Sequence, residues 1–166
     1  MRDTIQTFGT QIHDILAMDA GPAGREKVRL LLENMLNDEA FIAAHLSDDA
    51  PARQTLYEDP GLGFLVFGYV FSEVLREQPH DHGPTWAIFG QAAGITHMSE
   101  WEVVDPAAPE RPGKVRLARR YDLHPGDART YNEGVLHSPW SGGAGKVVQI
   151  QGGPIDRASR LTYEPV

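Results

Sequence analysis

The sequence predicts a mainly β domain, a small barrel or sandwich, with a helical N-terminal part. Apolar residues recur at helical spacing in the first 48 residues, whereas short apolar runs rich in Val, Ile, Phe, Tyr and Trp follow from Ala52. No helix-length periodic run separates those short runs, which argues against a parallel α/β fold. A length of 166 residues suits one domain, so we expect residues 1–166 to form a single unit with helices over 1–48 and strands over 52–163.

Three helices are expected in the N-terminal part. The first covers residues 4–18 and ends at the Asp-Ala-Gly-Pro break at 19–22. The second runs from about residue 23 to residue 37 and carries one apolar stripe. Asn37 or Asp38 is placed to cap a short third helix.

The rest of the chain is expected to form short strands. Each candidate is an apolar run that Gly, Pro or Asp residues separate from the next one, and many such strands are typical of a β-sandwich or barrel. The sequence contains no recognisable internal repeat or low-complexity linker. The predicted strands cover residues 52–58, 63–74, 84–90, 93–104, 114–123, 128–131, 134–138, 145–151 and 159–163.

The composition excludes several classes of function. Fifteen basic and 23 acidic residues give a net charge of −8, without any basic run, so we expect neither a nucleic-acid partner nor an anionic membrane partner. The chain has no cysteine, which excludes disulfides, a cysteine nucleophile and thiolate zinc sites. Without an apolar leader or a long apolar segment, we expect a cytoplasmic protein that acts on a small molecule. The sequence leaves open whether the protein forms a homodimer.

Histidines form the strongest candidate site. His80 and His82 lie in the segment Pro79–Trp86, and side chains two residues apart on an extended chain point to the same side. Their imidazoles can therefore reach one divalent ion. A third ligand has to come from another strand, and His137, which follows an Asn-Glu-Gly turn at 132–134, is the candidate.

The two histidine segments resemble the two motif blocks that characterise the cupin superfamily. In the first block the chain supplies His80, His82 and Gly94 at the expected spacing. It has Val74 in place of the block's first glycine, and Trp86 and Ala87 stand where the block has its glutamate.

The second motif block fits in register through Gly126, Gly134 and His137. Asn132 replaces its proline and Ser141 replaces its asparagine. This resemblance implies a cupin barrel, also described as a double-stranded β-helix or jelly roll, with an N-terminal helical cap. It also implies that His80, His82 and His137 bind one transition-metal ion.

Without the motif glutamate, the predicted site resembles that of the thiol dioxygenases, of which cysteine dioxygenase is the best-known member. This family also has helices before its barrel. The resemblance implies a mononuclear non-haem iron enzyme that oxidises a small thiol to a sulfinate with O2. Iron(II) is the preferred metal, and Zn, Ni or Cu are alternatives in purified protein, since neutral imidazoles suit these metals better than Mg or Ca.

The chain departs from the thiol dioxygenases at their known functional positions. Ala87 replaces the cysteine that is crosslinked to a tyrosine in cysteine dioxygenase, and Val147, Gln149 and Gln151 replace the Ser-His-Tyr relay. We therefore expect neither the crosslink nor the relay. The arginine that grips the substrate carboxylate aligns next to Arg53, to which we assign that role.

The resemblance and the strand patterns leave a set of substrate-binding candidates and two alternative functions. One alternative is a three-histidine dioxygenase that cleaves a carbon–carbon bond in a diketone-like substrate. The other is a metal-binding cupin without turnover. His97 is an additional candidate for a fourth ligand. The predicted substrate-binding residues are Arg53, Tyr69, Phe71, Trp86, Gln149 and Gln151.

Overall fold

The computed structural model describes residues 4–153 and 161–166. Three helices come first: α1 (Thr4–Met18), α2 (Pro22–Leu36) and α3 (Glu39–His45). Asp38, one of the two predicted caps, begins α3 by accepting hydrogen bonds from the backbone N–H groups of Ala40 and Phe41 at 3.0 and 3.2 Å. The described helices are too short or too polar for any of them to cross a membrane.

Ten strands follow in the described part of the chain, and most lie where the sequence predicted them. The pair of residues that forms the third strand was not predicted, because two residues are too few to show a strand pattern. Residues 159 and 160 of the last predicted strand lie outside the described residues. The strands are β1 (Arg53–Glu58), β2 (Leu65–Phe71), β3 (Leu75–Arg76), β4 (Ala87–Ala93), β5 (Thr96–Asp105), β6 (Gly113–Leu123), β7 (Ala128–Tyr131), β8 (Leu136–Ser141), β9 (Gly145–Gln151) and β10 (Tyr163–Pro165).

The strands form two five-stranded sheets. Sheet A has the order β1-β2-β9-β4-β7, and sheet B has the order β10-β6-β5-β8-β3. All neighbours are antiparallel except β10 and β6. Strands far apart in sequence therefore become neighbours, as β2 and β9 do, and the chain crosses repeatedly between the sheets.

The helices cover the outer face of sheet A. Val66, Val148 and Ile150 point outward from its strands and are buried against the helices, where Phe8 and Leu32 belong to the same apolar cluster. Gly90 marks the closest approach, because an added Cβ there would lie 2.8 Å from a methyl carbon of Leu32. The amphipathic helices thus bury their apolar stripes on one face of the sheet.

The other face of sheet A faces sheet B across a second apolar cluster. Phe89 and Val147 from sheet A pack with Met98 and Leu123 from sheet B. Residues that alternate along each strand of sheet A therefore point either to the helices or to the space between the sheets. The predicted mainly β fold with an N-terminal helical layer is confirmed, while the assignment of all of residues 1–166 to one domain stays a prediction.

Candidate metal centre

Backbone pairing brings the two histidine segments together. His80 and His137 exchange both of their backbone hydrogen bonds, N–H to C=O, at 3.0 and 2.9 Å. His137 lies on β8 of sheet B, and the turn that leads to it contains Gly134 with a φ of +78°, a conformation that favours glycine. Gly134 of the second motif block therefore provides the backbone conformation of the turn that leads to His137.

The side chains of His80, His82 and His137 form a compact cluster. One ring nitrogen of each lies within 4.8 Å of the others. The Nε2 atoms of His82 and His137 are 3.2 Å apart. Two nitrogens bound to one ion at about 2.0–2.1 Å are separated by roughly 2.8–3.4 Å in octahedral or tetrahedral geometry. The structure thus brings together the three predicted ligands at distances that suit one metal ion.

Hydrogen bonds to backbone carbonyls orient two of these imidazoles. The Nδ1 of His80 lies 2.8 Å from the carbonyl oxygen of Gln78, and the Nδ1 of His137 lies 3.1 Å from that of Val135. Since a carbonyl oxygen only accepts, each Nδ1 carries the proton and each Nε2 presents a lone pair. Metal-binding histidines commonly have this arrangement, so the donor set fits a transition-metal ion.

The histidine cluster forms one wall of a cavity of about 280 Å³ between the two sheets. Most of its lining is apolar. Among the described lining residues there is no lysine or arginine, and Glu77 is the one acidic residue. The lining consists of Ala52, Tyr69, Phe71, Leu75, Glu77, His80, His82, Ala87, Phe89, Tyr131, His137, Pro139, Val147 and Gln149.

Three predicted substrate-binding residues line this cavity: Tyr69, Phe71 and Gln149. Gln151 is 6% exposed and does not line the cavity, although it accepts a hydrogen bond from the Gln149 amide at 3.3 Å. Both glutamines lie on the inner face of β9, since the intervening Ile150 packs in the cluster against the helices. Gln151 therefore supports Gln149 rather than forming part of the wall.

Trp86 lies away from the cavity, which corrects its predicted position beside it, whereas Arg53 lies opposite the cavity-lining Tyr69 in the β1–β2 pair without lining the cavity itself. Trp86 precedes the cavity-lining Ala87, so strand alternation turns it to the opposite side, where it packs in the helix-facing cluster. Arg53 is exposed, and its guanidinium lies over the Phe67 ring at 4.6 Å from the ring centre. The described cavity lining therefore offers no cationic group for a substrate carboxylate.

His97, the additional candidate ligand, is also remote from the cluster. Its ring stacks on Trp140 at a centroid distance of 4.6 Å, and its Nδ1 lies 2.6 Å from a carboxylate oxygen of Asp122. Nearly half of the His97 side chain is exposed. The position of His97 on the outer surface of sheet B separates it from the other histidines.

Tyr131 is a site residue that the sequence did not reveal. Its ring stacks on His137 with a centroid distance of 4.0 Å and an angle of 18°. Its hydroxyl lies 2.6 Å from that of Tyr121, which in turn donates to Glu100. Burial, with smaller effects from Tyr121 and Glu100, raises the pKa of Tyr131 far above its ordinary value. Tyr131 therefore stays protonated and packs against His137 rather than acting as a base.

Glu100 anchors this tyrosine pair. Burial alone would raise its pKa, but hydrogen bonds from Tyr121 and Arg119 and the charges of Arg119 and Arg129 hold the pKa below its usual range. The carboxylate is thus charged, and it fixes the direction of the hydrogen bonds from Tyr131 to Tyr121 and on to Glu100.

No family model matches the chain, and no curated protein matches it. Similar solved structures include KdgF from Halomonas sp., at 16% identity over 64% of this chain and 81% of that chain, with a TM-score of 0.47. The hydroquinone 1,2-dioxygenase PnpCD in complex with Cd2+ and 4-hydroxybenzonitrile is 11% identical over 81% of this chain and 80% of that chain, with a TM-score of 0.49. A cupin 2 domain-containing protein from Halorhodospira halophila is 15% identical over 68% of each chain, with a TM-score of 0.48.

The geometry of the chain itself defines both the fold and the histidine cluster. Two facing, mainly antiparallel sheets with crossovers between them place His80, His82 and His137 at one cavity. These three histidines occupy the motif positions that the sequence predicted. The chain accordingly has a cupin-type barrel fold with a three-histidine cluster suited to a metal ion.

Proposed function

We propose that the protein is a mononuclear non-haem metal dioxygenase, with iron(II) as its metal. The observation that carries this proposal is the convergence of three imidazole nitrogens within 4.8 Å on the wall of an apolar cavity. Three histidines on one side of an ion leave coordination positions for O2 and a substrate. When bound, a redox-active metal supplies the one-electron chemistry with O2 that protein side chains lack.

The chain's own residues bind the substrate and exclude water. Phe71, Phe89 and Val147 form apolar walls, so a bound substrate exchanges contact with water for contact with these side chains. Gln149 offers an amide that can donate and accept hydrogen bonds at the same cavity. Its own bond to Gln151 holds that amide in place.

The reaction that we propose first is oxidation of a small thiol to its sulfinate, in which both atoms of O2 become bonded to sulfur. The cavity adds a restriction on the thiol. Glu77 contributes a negative charge, and no cationic side chain is present in the described lining. Apart from the metal ion itself, the described lining offers a substrate carboxylate no counterion, so we propose a thiol that is uncharged apart from its sulfur.

A second candidate is cleavage of a carbon–carbon bond in a diketone-like substrate. The same charge pattern supports it, because a small diketone is uncharged and mainly apolar. Its two oxygens suit the open positions of a three-histidine metal site, and Gln149 could hold one of them. A metal-binding cupin without turnover is the outcome if neither substrate class reacts.

O2 uptake by the iron-loaded protein distinguishes these functions. The protein, loaded with Fe²⁺ without air, is offered 2-mercaptoethanol, 3-mercaptopropionate, cysteine and acetylacetone, and the products are analysed by mass spectrometry with ¹⁸O2. A thiol dioxygenase adds two labelled atoms to the uncharged thiol, whereas a diketone-cleaving enzyme adds one to each fragment.

Two histidine variants provide the matched comparison. His137→Ala removes a cluster residue, while His124→Ala changes a side chain that is 58% exposed on the surface. Activity that survives His137→Ala, or the absence of O2 uptake with all four compounds, would contradict the proposed function.

A further inference from the structure

An irregularity in strand pairing lies directly before the first histidine. Arg76 on β3 pairs with Trp140, and His80 pairs with His137. Between these two pairs, the β3 side has three residues and the β8 side has two. One residue is therefore inserted as a β-bulge, a feature that often redirects side chains beside functional sites. Pro79, which has no N–H to donate, lies within this segment.

The bulge turns Glu77 and His80 to the same side. In a regular strand, residues three apart point to opposite faces. Here both side chains line the cavity. The backbone N–H of Glu77 donates to the carbonyl of Pro139 at 3.1 Å, so this residue is held against β8. Glu77 thereby lines the cavity beside His80 from a position that strand alternation would have directed away from it.

A positive species between Glu77 and His80 would stabilise their contact. A carboxylate oxygen of Glu77 lies 3.5 Å from Nε2 of His80. Because the Nδ1–H group of His80 donates a hydrogen bond to the carbonyl of Gln78, Nε2 of a neutral His80 presents a lone pair toward that oxygen. A proton or a metal ion between the two atoms relieves this repulsion. The separation is slightly longer than the roughly 2.8–3.4 Å expected for neighbouring ligands of one ion.

We propose that Glu77 is the fourth protein ligand of the metal and replaces the motif glutamate whose place Ala87 occupies. This inference rests on the proposed metal site and extends it by a carboxylate from a different strand. Glu77 lies outside the 4.8 Å histidine group, so the inference requires its side chain to move closer to the three histidines when a metal binds. Nearly half of that side chain is exposed, at 47%, which leaves it room to turn.

A carboxylate ligand has chemical consequences for the site. It cancels one charge of a divalent ion in an apolar cavity, where an uncompensated charge is costly. It also changes metal preference, since carboxylates suit Mn²⁺ and imidazoles suit Cu²⁺ and Ni²⁺. Loss of Glu77 is therefore expected to weaken Mn²⁺ binding more than Ni²⁺ binding.

Metal titration of the full chain tests this role without reference to activity. Mn²⁺ and Ni²⁺ affinities are measured by calorimetry for the wild type, Glu77→Gln, Glu77→Ala and Glu73→Gln. Glu73→Gln is the matched control, because it makes the same charge change at an exposed residue that is absent from the cavity lining. The visible absorption of bound Co²⁺ is recorded for each protein, since it responds to the number and type of ligands.

A fourth ligand predicts that both Glu77 variants lose at least about tenfold in Mn²⁺ affinity, with a smaller loss for Ni²⁺ and an altered Co²⁺ spectrum. The control should match the wild type. Wild-type affinity and an unchanged Co²⁺ spectrum in Glu77→Gln and Glu77→Ala would overturn the inference while leaving the three-histidine site intact. Failure of the wild-type chain to bind any of the three metals would instead overturn the proposed function as well.

Discussion

Replacing Arg25 by methionine tests how the helices hold the turn before His137. Arg25 is 8% exposed on α2. Its guanidinium donates two hydrogen bonds to the carboxylate of Glu133, at 2.7 and 2.9 Å, and one to the side chain of Asn132 at 3.0 Å. A fourth bond joins it to the carbonyl of Ala20. Methionine keeps the apolar stem and removes all four bonds.

The expected loss of stability depends on how deeply Arg25 and Glu133 are each buried. Hydrogen bonds to charged groups contribute about 1.5–3 kcal/mol when buried. The Glu133 side chain is 45% exposed, however, so water compensates much of its loss. We expect a coupling energy of about 1 kcal/mol between Arg25 and Glu133. The total cost of Arg25→Met should be about 2–3 kcal/mol, or roughly 5–10 °C in Tm.

A low pH should reduce the loss of stability that Arg25→Met causes. The hydrogen bonds from Arg25 hold the pKa of Glu133 below its ordinary value. A carboxyl with a lowered folded-state pKa stabilises the fold fully above its unfolded pKa of about 4.3 and loses that contribution as the pH falls through the folded value. The penalty of Arg25→Met is thus larger at pH 7 than near pH 3.5.

Urea unfolding of four proteins measures these quantities. The wild type, Arg25→Met, Glu133→Gln and the double variant form a double-mutant cycle, which is repeated at both pH values. A coupling energy near zero at pH 7, or a penalty for Arg25→Met that does not change with pH, would refute the assigned role of the ion pair.

Three further outcomes are expected. His137→Ala should reduce the bound metal, measured by elemental analysis, to near zero, while His124→Ala retains the wild-type content; full occupancy in His137→Ala would reject the three-histidine site. Gln149→Leu should raise the KM for the preferred substrate by roughly tenfold, through loss of about 1–1.5 kcal/mol of hydrogen bonding, at unchanged metal content; an unchanged KM would remove Gln149 from the substrate site. Tyr131→Phe should cost about 1 kcal/mol in urea unfolding because only the bond to Tyr121 is lost, and metal stoichiometry should persist; loss of the metal would show that the hydroxyl, and not only the ring stacked on His137, supports the site.

Local patterns in the sequence were sufficient for most of the secondary structure. The period of 3.6 residues located α1 and α2 within one residue of their observed ends, and β9 was predicted with its observed limits. Such patterns succeed because each element must present one apolar face to the core. The two-residue strand β3 was missed, since its pairing depends on β8 and not on its own sequence.

The three histidines of the site were also predicted from the sequence, because their spacing matches two motif blocks. The tertiary structure determined the roles of the remaining site residues. Trp86 and Ala87 are adjacent, yet one packs against the helices and the other lines the cavity. Alternation predicts that neighbours point in opposite directions, but only the packed sheets determine which direction is the cavity.

The positions of Glu77 and Tyr131 at the cavity also could not be predicted from local sequence patterns. Glu77 reaches the cavity through a bulge that arises from unequal lengths of two paired segments distant in sequence. Tyr131 meets His137 because β7 of sheet A faces β8 of sheet B. The sequence by itself determined the periodicities, the absence of cysteine and the three histidines, since these are local properties. The position of Glu77 at the cavity, the tyrosine stack and the charge of the cavity depend on pairing between distant segments, which only the folded chain decides.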